Sequence, residues 1–178
     1  MAVNDADKVV EVTVGNSPIL LENINERGIA ITNERGRSKV MNDAGIAIAG
    51  TAGNAKVGKA GLAYVSSGDA TGGPNCIAIT RGAGTALVGD GGVAVAMRGG
   101  NASVVRGVAV AFNARGDYKA RAMGYLGAVL VFSYTKDKDP NTEVEFVTAK
   151  VDNENIQSLV PYRVTNEGKI VRAESCQD

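Results

Sequence analysis

Small and bulky apolar residues alternate over short stretches between residues 28 and 123, and the same four-residue phrase returns in six copies. They are Gly28-Ile29-Ala30-Ile31, Gly45-Ile46-Ala47-Ile48, Gly61-Leu62-Ala63-Tyr64, Cys76-Ile77-Ala78-Ile79, Gly92-Val93-Ala94-Val95 and Gly107-Val108-Ala109-Val110. The central alanines are 17, 16, 15, 16 and 15 residues apart. A fainter phrase follows each copy at the same step, as in Ser38-Lys39-Val40, Ala55-Lys56-Val57, Ala86-Leu87-Val88 and Ala102-Ser103-Val104. Period-two alternation between Gly-rich corners predicts strands. A unit this short cannot bury its apolar face alone, so copies must stack and share a core. The expectation is an all-β parallel β-solenoid, a β-helix or β-roll of about six coils of 15 to 17 residues, each with two strands and two turns.

The ends have a different texture. Residues 1–27 read as an N-terminal cap: Lys8 to Val14 alternates, Asn16-Ser17-Pro18 breaks it and Ile19-Leu20-Leu21 follows. Residues 124–178 read as a small antiparallel module. Its strands are Tyr125 to Tyr134 and Glu143 to Val151, with a turn at Lys136 to Asn141 between them, and a final hairpin is turned by Asn166-Glu167-Gly168. Cys76 takes the glycine position of its coil and reads as a small buried substitute.

Both faces of the first strand are apolar, one of alanine and one of Ile, Leu, Tyr and Val, whereas the second strand points Lys39, Lys56, Thr71, Leu87, Ser103 and Lys119 outward. A strand apolar on both sides is expected to be covered on both. The column Ala47, Ala63, Ala78, Ala94 and Ala109 is therefore expected to be the face on which a homo-oligomer forms.

Two resemblances follow from these phrases. Gly45-Ile46-Ala47-Ile48 and Asn54-Ala55-Lys56-Val57-Gly58 resemble coils in the heads of trimeric autotransporter adhesins, which implies the same kind of stacked β-roll. The alanine-rich coils followed by Gly127-Ala128-Val129-Leu130-Val131, Thr148-Ala149-Lys150-Val151-Asp152, Pro161-Tyr162 and Gly168-Lys169 are similar to uncharacterised small proteins of phages and prophages. That likeness covers residues 28 to 175 and implies a mobile-element origin, with no activity attached.

Charge is patterned although the net charge is zero. Residues 28–123 carry eleven basic and five acidic groups, while 1–27 carry two and five and 124–178 carry six and nine. The excess is moderate, short of the footprint of a dedicated nucleic-acid binder. Arg35, Arg81, Arg98 and Arg115 fall at the first corner of their coils and are the candidate partner-binding edge, since stacked guanidiniums suit phosphates and carboxylates.

The chain has no histidine, which removes the usual nucleophile pairs and the commonest general base. Asp69 and Asp90 are the only acids between residues 45 and 116 and fall at different corners, so no paired carboxylates of a glycosidase are expected. Gly53-Asn54-Ala55-Lys56-Val57-Gly58-Lys59-Ala60 approaches a phosphate-cradling loop, yet Ala60 stands where a magnesium-holding hydroxyl belongs and a strand phrase follows. Thr32 and Thr80 share a column that alanines and Val65 interrupt, so no ice-binding array is expected. No catalytic, cofactor-binding or metal-ligating residues are assigned. Two cysteines without a spacing motif fit a reducing compartment, and no signal peptide or membrane-spanning run is expected.

The sequence thus leads to a non-enzymatic phage- or prophage-encoded binding protein in the host cytoplasm. Its expected partner is a host protein or ribonucleoprotein complex of defence or nucleic-acid handling, which it would inhibit, with nucleic acid as a second target class and no membrane. The alternative is a structural module of a virion or an adhesin-like surface assembly.

Overall fold

Alternation closed by tight corners produces fifteen strands and no helix among the described residues of the computed structural model, which are 20–23, 28–41, 43–113, 119–136 and 142–173. In chain order they are β1 (Leu20–Asn23), β2 (Ile29–Thr32), β3 (Arg37–Val40), β4 (Ile46–Val57), β5 (Leu62–Gly72), β6 (Ile77–Thr80), β7 (Thr85–Val88) and β8 (Gly92–Met97). They continue as β9 (Asn101–Val104), β10 (Gly107–Phe112), β11 (Arg121–Gly124), β12 (Val129–Tyr134), β13 (Glu145–Lys150), β14 (Tyr162–Val164) and β15 (Ile170–Arg172).

Parallel pairing stacks the coils, with the alanines of successive first strands in register. Ala47 lies beside Ala63, Ala63 beside Ala78, Ala78 beside Ala94 and Ala94 beside Ala109. One sheet runs β2, β4, β5, β6, β8, β10, β12, β13, and the other runs β1, β3, β4, β5, β7, β9, β11, β14, β15. β4 and β5 belong to both because they bend through the first corner without losing their pairing. One change of coil length is absorbed at that corner: the register shifts between Thr51 and Gly53, and the extra residue Ala52 takes a left-handed conformation at φ 56°. At the same corner Gly84, at φ 138°, comes so close to the preceding coil that a Cβ would stand 2.1 Å from the Gly68 carbonyl oxygen.

The core lies between the two sheets and is thin. Ala47, Ala63, Ala78, Ala94 and Ala109 are all fully buried, facing Ala55, Ala70, Ala86 and Ala102 and the valines Val57, Val88 and Val104. Polar groups that point inward are bonded, as burial demands. The Thr80 hydroxyl donates to the Gly68 carbonyl at 3.1 Å, and the Ser38 hydroxyl donates to the Ile48 carbonyl at 2.6 Å while 3.0 Å from the Thr32 hydroxyl. Cys76 is buried in the glycine column, where its thiol donates to the Gly58 carbonyl at 2.9 Å and accepts the Gly61 N–H at 3.3 Å. Burial pushes this thiol above its ordinary pKa.

The solenoid runs past residue 123, where its end was expected, because β12 pairs in parallel with β10. In the two inward columns Leu130 follows Ala109 and Phe132 follows Ala111, so the core widens abruptly at this end. The chain then reverses: β13 closes one sheet antiparallel to β12, and the β14–β15 hairpin closes the other with Tyr162 opposite Ala122. At the other end β1 pairs in parallel with β3 and so belongs to the solenoid. The remainder of the N-terminal cap, and all but Lys136 of the turn at residues 136–141, lie outside the described residues.

Candidate binding surface

Because strand side chains alternate, burying the alanines turns every bulky neighbour outward. This corrects the expectation that Ala47, Ala63, Ala78, Ala94 and Ala109 form an oligomer face: each is fully buried inside its own coil. The inward positions of these strands are filled mainly by alanine, with Thr32, Val65 and Thr80 as the larger exceptions before β12. The outward pairs instead run from Ile29 and Ile31 of β2, through Ile77 and Ile79 of β6, to Val129 and Val131 of β12. All are partly or fully exposed, Ile77 at 44% and Val129 at 37%. Tyr64 stands in the same columns, and the rings of Phe112 and Phe146, 6.4 Å apart and tilted by 47°, extend the surface at one edge.

The result is a flat, ribbed apolar face. At the spacing of paired strands, seven strands cover about 30 Å. Contiguous exposed apolar area on this scale is characteristic of interaction sites, not of a solvated wall. The opposite sheet shows water a different composition, including the exposed residues Arg37, Asn54, Lys56 and Asp69 with Leu87 among them.

One rim of the aliphatic face is the second corner, where the backbone stacks coil on coil. The Ala44 N–H donates to the Lys59 carbonyl at 2.8 Å, Ala60 to Pro74 at 3.0 Å, Asn75 to Asp90 at 2.8 Å, and Gly91 to Arg106. The donors take the left-handed conformation, with φ between 52° and 73°. Asp43, Lys59, Pro74, Asp90 and Arg106 therefore occupy equivalent places on successive coils. Arg106 holds Asp90 of the coil below through two charge-assisted hydrogen bonds, the one from Nε being 2.8 Å.

The other rim is the first corner, with the candidate arginines. Arg35, Arg81 and Arg98 are exposed there, and Arg115 lies outside the described residues. Arg81 directly follows β6 and Arg98 directly follows β8, on neighbouring coils roughly 5 Å apart. Arg35 sits three coils away, about 14 Å, with Thr51 and Ser67 in the corners between. The structure brings two of the named arginines together and leaves the third apart.

Other candidate motifs become structural. The Gly53–Ala60 phrase spans the end of β4 and the corner before β5, with no helix terminus to receive a phosphate. Thr32 and Thr80 point into the core and are buried. Among the described residues no group of three or more His, Cys, Asp or Glu side chains is placed to hold a metal ion, and no helix is long and apolar enough to cross a membrane.

The sequence reading missed the aliphatic face. The signal was present, since a coil with alanine on one side and Ile or Val on the other must turn one of them to water, and only coil thickness decides which. Comparison with protein-family models, with curated proteins and with solved structures gives no match for the chain.

Proposed function

We propose that this protein is a non-enzymatic binding protein whose working surface is the aliphatic face of the β2–β12 sheet. The observation that carries this reading is the ribbed column of half-exposed Ile and Val side chains, kept rigid by continuous parallel pairing. Rigidity matters because a preformed surface loses little entropy when it is covered. The face suits a protein partner, since apolar burial supplies the affinity while the charged corners set alignment.

In the finer form of this proposal the chain is encoded by a phage or prophage and acts in the host cytoplasm, where it inhibits a host defence or nucleic-acid-handling complex by occupying one of its surfaces. The phage-like tail and the rod of patterned charge support it, with Arg81 and Arg98 as the contacts to acidic groups or phosphates. The second reading, a structural module of a virion or surface assembly, is favoured by the repetition of one face along the whole rod.

Capture of partners from bacterial lysate by the tagged chain, with and without nuclease, tests the proposal against the variant Ile48→Lys/Ile79→Lys/Val95→Lys. The expected result is a protein assembly retained after nuclease by the parent chain and lost by the variant. Equal capture by both chains would remove the face from the function. Host complexes among the captured proteins support inhibition, and particle proteins support the structural role. Changing Arg81 and Arg98 together to Ala is expected to weaken capture most at low salt; unaltered capture would assign these arginines to solubility.

A further inference from the structure

We infer that the aliphatic face is covered by a second copy of this chain, turned end for end about a two-fold axis that lies along the strand direction. The inference rests on the binding role proposed for this face and names its occupant.

The first observation is size. Two columns of half-exposed side chains on the six strands from β2 to β10 offer on the order of 600 Å² per copy, or about 1,200 Å² when two faces meet, which is at the lower end of stable specific interfaces. Two such sheets stack face to face at about 10 Å with their ribs interleaved. A face made of one repeated pair of residues is complementary to itself, as a two-fold interface requires.

The second observation is the order of charges along the rim. Asp43, Lys59, Pro74, Asp90 and Arg106 follow one another on successive coils with signs minus, plus, neutral, minus, plus. Reversing that order changes every sign. Rotation about an axis at the level of Pro74 therefore sets Asp43 against Arg106 of the second copy and Lys59 against Asp90 of the second copy. Symmetry then supplies each contact twice.

The same level, between β5 and β6, sets the six strands β2, β4, β5, β6, β8 and β10 against their counterparts, three on each side, and leaves β12 beyond the overlap. The bridge that already joins Asp90 to Arg106 becomes the middle of a longer alternating row. On the other rim Thr51 and Ser67 fall opposite Arg98 and Arg81, so neither of these two arginines meets a like charge; the corner opposite Arg35, residues 114–118, lies outside the described residues. A two-fold axis along the rod would instead bring Arg106 level with Arg98, and the match would be lost.

Two double variants, each unchanged in net charge and altered only at solvent-accessible corner positions, test the inference. One carries Asp43→Lys and Lys59→Glu. The other carries Asp90→Arg and Arg106→Asp, which keeps the bridge between neighbouring coils with its ends exchanged. Either variant alone opposes like charges at all four contacts, whereas a mixture of the two restores every attraction. Native mass spectrometry over a concentration series, with thermal melts to verify folding, reads the outcome.

The parent chain is expected to be a dimer. Each variant should dissociate at least about tenfold more readily, and an equimolar mixture should recover the dimer as a mixed pair. A monomeric parent chain overturns the inference, and if its capture of proteins is still lost with the lysine-bearing face, the proposed binding role survives. A parent dimer indifferent to both variants, or variants that fail to form the mixed pair, overturns the end-for-end arrangement.

Discussion

Alanine and isoleucine exchange their customary places in this molecule, and the reason is geometric. Sheets joined by short corners enclose a thin core, so the inward columns hold alanine with a few valines and threonines and the outward ones receive the larger chains. The inward alanines are already in contact on every side, and enlarging one must displace the backbone of adjacent coils. Ala94→Leu is therefore expected to lower stability by about 1–3 kcal/mol, whereas Val95→Lys, one residue away and half-exposed, should change it by less than about 1 kcal/mol. Urea midpoints of the two variants measure this, and a larger loss for Val95→Lys would reverse the assignment of faces. Alternation in the sequence identified the strands and their register down to Cys76 in its glycine column. It did not identify which face is inward, because a period of two fixes only that neighbours point opposite ways.

Strands need ends, and the C-terminal elements show how the ladder is stopped. Leu130 continues a column of alanines and Phe132 one of alanine, threonine and valine, and Ile156, Tyr162 and Val164 from the reversing chain pack with them in the same core. Phe132→Ala is expected to cost about 3–5 kcal/mol, because Ala111, its neighbour in the column, is too small to fill the cavity; a loss under 1 kcal/mol, read by denaturant unfolding, would show that this cap carries little of the fold.

The approach to β14 is set by a carboxylate. Asp152 accepts the N–H groups of Glu154 and Asn155 at 2.9 Å and of Ile156 at 3.0 Å, and the Asn155 side-chain amide at 3.1 Å. These bonds, led by the one from Ile156, lower its pKa from 3.8 to about 2. A group whose folded pKa is depressed stabilises the fold above its unfolded value and loses that contribution as pH falls through the folded one. The melting temperature of the parent chain is thus expected to fall more steeply between about pH 4 and pH 2 than that of Asp152→Asn. Parallel slopes would detach this turn from acid stability.

The antiparallel tail and its last hairpin were legible from Asn166-Glu167-Gly168 and the flanking β-branched residues. The continuation of the coil through β12 was not, because Leu130 and Phe132 break the small-residue code that defines the repeat.

At the scale of the whole molecule the fold is a rod with one apolar wall, one polar wall and two charged edges. Only part of the candidate site could be read in advance. The charged corners were visible as residues, but their alternation along one rim emerges only when the coils are stacked. The apolar wall was masked by alanines that are equally apolar. Energetically the wall is the largest unmet term: on the order of 600 Å² of aliphatic surface at about 25 cal/mol per Å² is roughly 15 kcal/mol of gross burial for each copy, before the cost of association.

The most direct measurement is light scattering of the parent chain beside Ile48→Lys/Ile79→Lys/Val95→Lys at equal concentration, with circular dichroism to verify that both keep their strands. Twice the chain mass for the parent and a single chain mass for the variant is the expected result. The same mass for both would contradict the assignment of this wall as the surface on which the protein assembles.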